Sequence, residues 1–319
     1  MNIVRYRERK SQYFIYKELP NVDYFGFNAK VYNDGSHFLC TPIKNKTFSS
    51  KKKLRIDPRI NQEFDNIYKD IISKGIKGKA VKEILKTEIV SKHKDNFVDY
   101  TFLESYVDNR LKLKKNNLYN RLKRLKRKAT MNDWNYFATF TYDNKKMDSE
   151  TFRESLKKTL ANFSTRRKWR YLGVFELSPK TDRLHFHCLL YVPDNQMPGT
   201  LREQRDFSLR EHKMQSIYVN TFFLKKFGRN DFKPLNKQEL QQSNVINYLT
   251  KYLSKQDEKI LYSRHTPGEI SLYIDKRDIV TEFYDFCLKY VLFDDVINDK
   301  LEYQKYLWKT KQLSIDDFL

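Results

Sequence analysis

The apolar pattern of the chain changes period at Asn132, and that change limits the fold to an α+β architecture. From about 62 to 128 apolar residues recur at helical intervals, with a break near Gly75 and Gly78. Beyond Asn132, NYFATFTYD (135–143) alternates Phe137, Thr139 and Thr141 against Tyr136, Ala138, Phe140 and Tyr142, as a strand does. A helix is expected at about 149–164. Phe152, Leu156, Leu160 and Phe163 share its apolar face, and Asp148 or Ser149 serves as cap. Two strands follow, YLGVFEL (171–177) and RLHFHCLLYV (183–192), joined by a short turn around Ser178-Pro179-Lys180. A loop and a short element, IYVNTFFLKKFG, lead to a helix at about 243–256. Strand, helix, hairpin and helix make an α+β unit on an antiparallel sheet.

The flanks differ from this middle. Residues 12 to 42 read as short strands, QYFIYKEL, FGFNAKVY and SHFLCTPI, with Asp34-Gly35 as hairpin-turn chemistry between the last two. Lys44 to Lys53 is a polar, basic connection. The final sixty residues read as mixed and then helical, with Phe283, Cys287, Tyr290 and Val291 spaced for core packing. The expected organisation is a β-rich segment over 1–60 and a basic helical region over 61–131. A central domain over 132–258 and a mixed or helical extension over 259–319 complete it. No internal repeat is present.

Charge narrows the function. Among 319 residues, Lys and Arg number 62 against 40 Asp and Glu, a formal charge of +22, which attracts polyanions. Aromatics reach 15%, and basic charge interleaved with aromatic rings favours nucleic acid, since bases stack on such rings. Only 8 Gly and 8 Pro exclude collagenous and linker-like chains. Cys40, Cys188 and Cys287 are widely spaced, with no C-x-x-C, so a reducing compartment is expected rather than a disulfide framework or zinc knuckle. The start MNIVRYRERK has no apolar signal segment and no stretch is apolar enough to span a bilayer, so a cytoplasmic protein without a membrane partner is expected.

The most basic stretch runs from Arg110 to Lys128, with ten Lys or Arg in nineteen residues. Leu111, Leu118, Leu122 and Leu125 form one apolar stripe, and the other faces are cationic. Either this is the solvated face of a docked helix, or Arg121, Lys123, Arg124, Lys126, Arg127 and Lys128 contact DNA phosphates. The second reading fits the total charge better.

Three constellations carry chemistry. His185 and His187 are two apart in a strand, so both imidazoles leave one face and can grip one metal ion. Leu184, Phe186, Cys188 and Leu190 point the other way, into a core. Glu176 ends the preceding strand, and a turn spanning 178–183 sets it across from His185. It is either a third ligand or a solvated strand-end carboxylate. In YLTKYLSK (248–255), Tyr248 and Tyr252 lie one helical turn apart, and Lys251 and Lys255 repeat that step on an adjacent face. Two packed tyrosines of an amphipathic helix would look the same. Two phenols beside two ammoniums also suit phosphate chemistry, because a phenolate attacks a phosphodiester and a lysine favours its ionised form.

Taken in order, TFTY (139–142), HFH (185–187) and YLTKYLSK resemble the three motifs of HUH-type rolling-circle replication initiators of small phages and plasmids. The resemblance covers about 134–256, and KRLKRKATMNDWNYFATFTY is similar to the branch with a basic helix and a Trp, here Trp134, before the first strand. It implies a five-stranded antiparallel sheet flanked by helices, the HUH endonuclease fold, with the histidines on a central strand. An N-terminal β and helical extension and a C-terminal helical tail would be additions to it. The resemblance also implies a Mg²⁺- or Mn²⁺-dependent enzyme that nicks one strand at an origin. His185, His187 and Glu176 would be the metal ligands, and Tyr248 and Tyr252 both match the Y-x-x-K nucleophile pattern, with Lys251 and Lys255 as their lysines. Tyr248 is favoured as the first nucleophile. Single-stranded origin DNA, a host polymerase and a host helicase are the implied partners. The chain has no G-x-x-x-x-G-K-[ST] loop of its own.

Other readings stay open on the residues alone. A relaxase or single-strand transposase would use the same chemistry on other DNA. A DNA-binding replication regulator would keep the histidines as structural residues. A two-His-one-carboxylate iron oxygenase fits the donors but not the charge.

Overall fold

The computed structural model of the protein describes residues 26–43, 57–94, 101–178, 183–208, 212–236, 240, 245–256, 259–283 and 289–303. The expected strand QYFIYKEL, the connection at Lys44 to Lys53 and the tip of the 178–183 turn lie outside these residues. The chain divides into two compact units, 45–120 and the remainder.

In the first unit, helices α1 (Pro58–Ser73), α2 (Lys79–His93) and the first half of α3 (Thr101–Thr130) enclose Phe64, Leu85, Ile89, Leu103 and Val107. The Asp57 carboxylate accepts the Arg59 amide at the start of α1, where Pro58 supplies a pre-set φ. The break expected near Gly75 and Gly78 is the α1–α2 turn. Both glycines have positive φ there, which L side chains resist.

The second unit holds two five-stranded antiparallel sheets and a ribbon. The central sheet has the order β8-β3-β5-β4-β9, from β3 (Tyr136–Thr141), β4 (Arg170–Leu177), β5 (Leu184–Tyr191), β8 (Asn230–Pro234) and β9 (Leu261–Tyr262). Period-two alternation is legible on both of its faces. Ala138, Phe140, Phe186, Cys188 and Leu190 pack against Phe152, Leu156 and Leu160 of α4 (Ser149–Arg167) and Phe223 of α5 (Thr221–Lys226). Asp148 is the α4 cap, its carboxylate accepting the Thr151 amide at 2.7 Å. On the opposite face Leu172, Val174 and Leu189 meet Leu125 and Ala129 of α3, Trp134, and Leu249 and Leu253 of α6 (Val245–Gln256). The Trp134 indole N–H donates to the Ala129 carbonyl at 2.8 Å, joining the helix end to the strand that follows. The leucine stripe therefore serves two cores: Leu125 is buried here, while Leu111 packs in the 45–120 unit.

The other sheet has the order β10-β1-β2-β12-β11, from β1 (Phe27–Asn33), β2 (Phe38–Pro42), β10 (Ile270–Ile274), β11 (Ile279–Phe283) and β12 (Lys289–Leu292). The β1–β2 hairpin forms as expected. The Asp34 carboxylate accepts the Ser36 and His37 amides, and Gly35 takes φ +103°. The C-terminal region departs from the mixed-then-helical expectation. It contributes three strands to this sheet before a helix, α7 (294–303), begins. Tyr290 and Val291, read as helical core positions, lie on β12, which inserts between β2 and β11. Both residue types have strong β preference, and pairing overrides the helical spacing. The sequence reading also missed β6 (Leu201–Ser208), which pairs with β7 (Lys213–Asn220) as a two-stranded ribbon. LREQRDFS has no apolar alternation, because this strand is largely exposed.

Cys40 and Cys188 are free and buried, and burial pushes the Cys40 thiol up to about 12. No helix among the described residues is long and apolar enough to cross a membrane.

Gly173 shows how tightly β4 seats on β5. A Cβ there would stand 2.5 Å from both the Cys188 Cβ and the His187 carbonyl oxygen. Gly173→Ala should therefore destabilise the protein by about 1–3 kcal/mol through overpacking. A lowered midpoint in chemical denaturation would register it.

Candidate active site

Strand pairing brings the expected residues together. In the β4–β5 register Glu176 stands opposite His185, as the turn arithmetic required, and the Ser178 amide closes the turn on the Arg183 carbonyl at 2.9 Å. In the β3–β5 register Thr141 stands opposite His185 and Thr139 opposite His187. All five side chains share one face.

The two threonines hold the two imidazoles. Thr141 Oγ1 lies 2.7 Å from His185 Nδ1, and Thr139 Oγ1 lies 3.1 Å from His187 Nδ1. With each Nδ1 engaged by a hydroxyl, each Nε2 is turned outward from β3. His187 Nε2 meets Glu176 Oε2 at 2.8 Å. His187 is 6% exposed, so this contact is largely shielded from water. Burial chiefly, then the neighbouring His187 and the guanidiniums of Arg183 and Arg229, lower the His185 pKa to about 4, against the opposing pull of Glu176. His185 is thus a neutral imidazole at neutral pH. The sequence reading quoted TFTY as a motif but gave its threonines no task. The signal was present: a T-x-T with period two, one strand away from an H-x-H with period two.

Helix α6 places both tyrosines over this face. The Tyr252 ring stacks on His187 at 5.2 Å and 13°, while the Tyr248 ring stands edge-on to it at 5.3 Å. The tyrosine rings are 4.8 Å apart, and Tyr248 also meets Phe137 edge-on at 5.9 Å. Tyr252 is buried and Tyr248 half-buried. Burial first, then hydrogen bonding with Tyr248 and the negative charge of Glu176, raises the Tyr252 pKa and keeps that phenol protonated. Lys251 is exposed on the next face of α6. The Lys255 side chain lies outside the described residues.

The donor set can be tested against a metal. Among the described residues no three His, Cys, Asp or Glu side chains form a ready metal cluster. Instead the Glu176 carboxylate is hydrogen-bonded to His187. The chemistry of the donors nonetheless fits a divalent cation: two imidazoles from one strand face, each with its Nδ1 fixed by a hydroxyl, and a carboxylate from the adjoining strand. His185, His187 and Glu176 would hold it.

The basic helix is divided in use. Arg124 and Lys126 are exposed, and Arg121 and Lys123 are partly so. Arg127 lies 3.4 Å from the centre of the Tyr32 ring and pairs with Glu269 at 3.3 Å. Lys128 is buried, with its ammonium on the Thr266 carbonyl and 4.0 Å from the Tyr262 ring. Burial lowers its pKa. Lys128 therefore leaves the expected phosphate-contacting set. A register of cations read from sequence does not reveal which one turns inward.

If the threonine hydroxyls orient the imidazoles, Thr139→Val and Thr141→Val should each weaken Mn²⁺ binding roughly 10–100-fold, and the corresponding Ser variants should restore it. Titration calorimetry reads this directly, without any nucleic acid.

All these site residues fall within one recognisable segment. Residues 135–257 match the model of a family of replication-associated proteins, the ORF2 group. No curated protein and no solved structure matches the chain. By that segment the chain is similar to replication-associated proteins, which suggests a role in the initiation of DNA replication, an interaction with DNA and a possible nuclease activity.

Proposed function

We propose that this protein is an HUH-type rolling-circle replication initiator that nicks single-stranded DNA at an origin. The observation that carries the reading is the stacking of α6 on β5: two tyrosines lie directly over two histidines and a carboxylate. The five-stranded antiparallel sheet with β5 at its centre is the frame that such a fold requires.

In this mechanism a single DNA strand lies across the histidine face, drawn by the cationic surface and held by base stacking on aromatic rings. His185, His187 and Glu176 hold a Mg²⁺ or Mn²⁺ ion, which supplies charge stabilisation at the scissile phosphate. Tyr248 is the first nucleophile, because it stands at the lip of the site, whereas Tyr252 is buried with its proton held. The phenolic oxygen of Tyr248 bonds to phosphorus as the P–O3′ bond breaks. The proton lost by the phenol balances the one gained by the departing 3′ oxygen. Lys251, three residues on, offsets negative charge during attack, and Lys255 extends that cationic face. The phosphotyrosine bond conserves the energy of the cleaved linkage, so rejoining by a 3′ hydroxyl needs no nucleotide cofactor. The freed 3′ hydroxyl then primes a host polymerase, and a host helicase opens the duplex in the cytoplasm of the host cell.

A labelled single-stranded oligonucleotide library, incubated with protein and Mn²⁺ and run on denaturing gels, tests this. A covalent adduct is expected that EDTA abolishes and Tyr248→Phe removes. Tight binding without any adduct would instead identify a DNA-binding replication regulator.

A further inference from the structure

The sheet face that carries the histidines continues past them toward two arginines that the nicking chemistry does not use. Beside the row Glu176, His185, Thr141 comes Arg229, whose carbonyl accepts the Thr141 amide at 2.8 Å. Arg183 precedes His185 by two residues, next to the end of β5, and its guanidinium donates to the Tyr142 carbonyl. Both cations are close enough for their field to reach the His185 ring. With Lys146 they wall a cavity of about 340 Å³, closed on the other side by Gln204 and Asp206 of the β6–β7 ribbon. Asp206 pairs with Arg229 across this cavity.

The spacing suits one substrate feature. Arg229 stands two strands from His185, roughly 10 Å away by strand spacing. That is within reach of the backbone phosphate adjoining one held at the histidines. Arginine is suited to this task, because its planar fork matches phosphate oxygens and it keeps its charge when partly desolvated. The Asp206 carboxylate presents the same kind of acceptor that a phosphate would.

We propose that this cavity seats the phosphodiester next to the scissile one, with Arg183 and Arg229 as its counter-charges and Asp206 as the group the phosphate displaces. The inference rests on the histidine face being where DNA lies. It adds a subsite that extends from the metal ligands toward the ribbon, and it makes the ribbon one wall of the DNA path.

Fluorescence anisotropy of the full chain with labelled oligothymidylate across a potassium chloride series tests the subsite. Arg183→Gln and Arg229→Gln should each weaken binding several-fold and reduce the salt slope by about 0.7, the value for one lost single-strand phosphate contact. Arg183→Lys and Arg229→Lys should keep the slope, which separates lost charge from misfolding. Asp206→Asn should tighten binding, a change that a purely structural Arg229–Asp206 pair would not produce. Lys158→Gln, on α4 behind the opposite face, should leave the slope unchanged. Unaltered slopes in both Gln variants, or weaker binding by Asp206→Asn, would overturn the proposal. The adduct assay of the unaltered protein reads nicking separately. An adduct without slope changes removes the subsite alone, and slope changes without an adduct support the subsite while removing the nicking reading.

Discussion

The register of β5 between β3 and β4 is the constraint on which the site depends. It sets His185 against Thr141 and Glu176, and His187 against Thr139. Side chains alternate along a strand, so a slip of one residue would send both histidines into the α4 core and bring Phe186 out to the surface. That error is suppressed by the burial of Phe186, Cys188 and Leu190, all 0% exposed. Each fully buried large apolar side chain contributes about 1.5–3 kcal/mol. The polar face is thus positioned by the apolar face. Chemistry on one side of the sheet is held in place by packing on the other.

The same logic explains the tyrosines. Leu249 and Leu253 of α6 are both 0% exposed and anchor the helix on Leu172, Val174 and Leu189. Tyr248 and Tyr252 each precede one of these leucines, so docking the leucines rotates both phenols toward His187. The two rings nevertheless arrive differently. Tyr252 lies flat on the imidazole and deep, and Tyr248 stands on edge at the lip. A four-residue step gives equivalent positions on a helix but not equivalent environments on the curved sheet beneath it.

Much of this was legible in the sequence wherever period and turn chemistry agree. The strand at 135–143, the capped helix behind Asp148, the hairpin that sets Glu176 opposite His185 and the histidine face each follow from local pattern. Legibility failed where an element owes its form to partners distant in sequence. β6 has a polar sequence, and β12 was read as helix because its pairing with β2 crosses some 250 residues. Arg229 and Thr139 lie far from the histidines in the chain, and only the register brings them to one row. The family model matches the same segment that the three motifs span, and says nothing of the sheet that joins β1 and β2 to β10, β11 and β12.

A formal charge of +22 overstates the surface offered to a polyanion, since some of these cations already have structural tasks. Lys128 is buried on a carbonyl, and Arg127 is placed against Tyr32 and Glu269. Arg110 and Lys114 both pair with Asp65 within the 45–120 unit. Exposed ion pairs of this kind contribute about 0–1 kcal/mol each and are exchanged readily for phosphate. A buried lysine is not exchanged, because extracting it would strand the Thr266 carbonyl and open the α3 end. The cations of α3 consequently separate into a structural end, Arg127 and Lys128, and an exposed pair, Arg124 and Lys126. Affinity for DNA is set by the second group and by the arginines beside the histidines, while the first fixes where the helix lies.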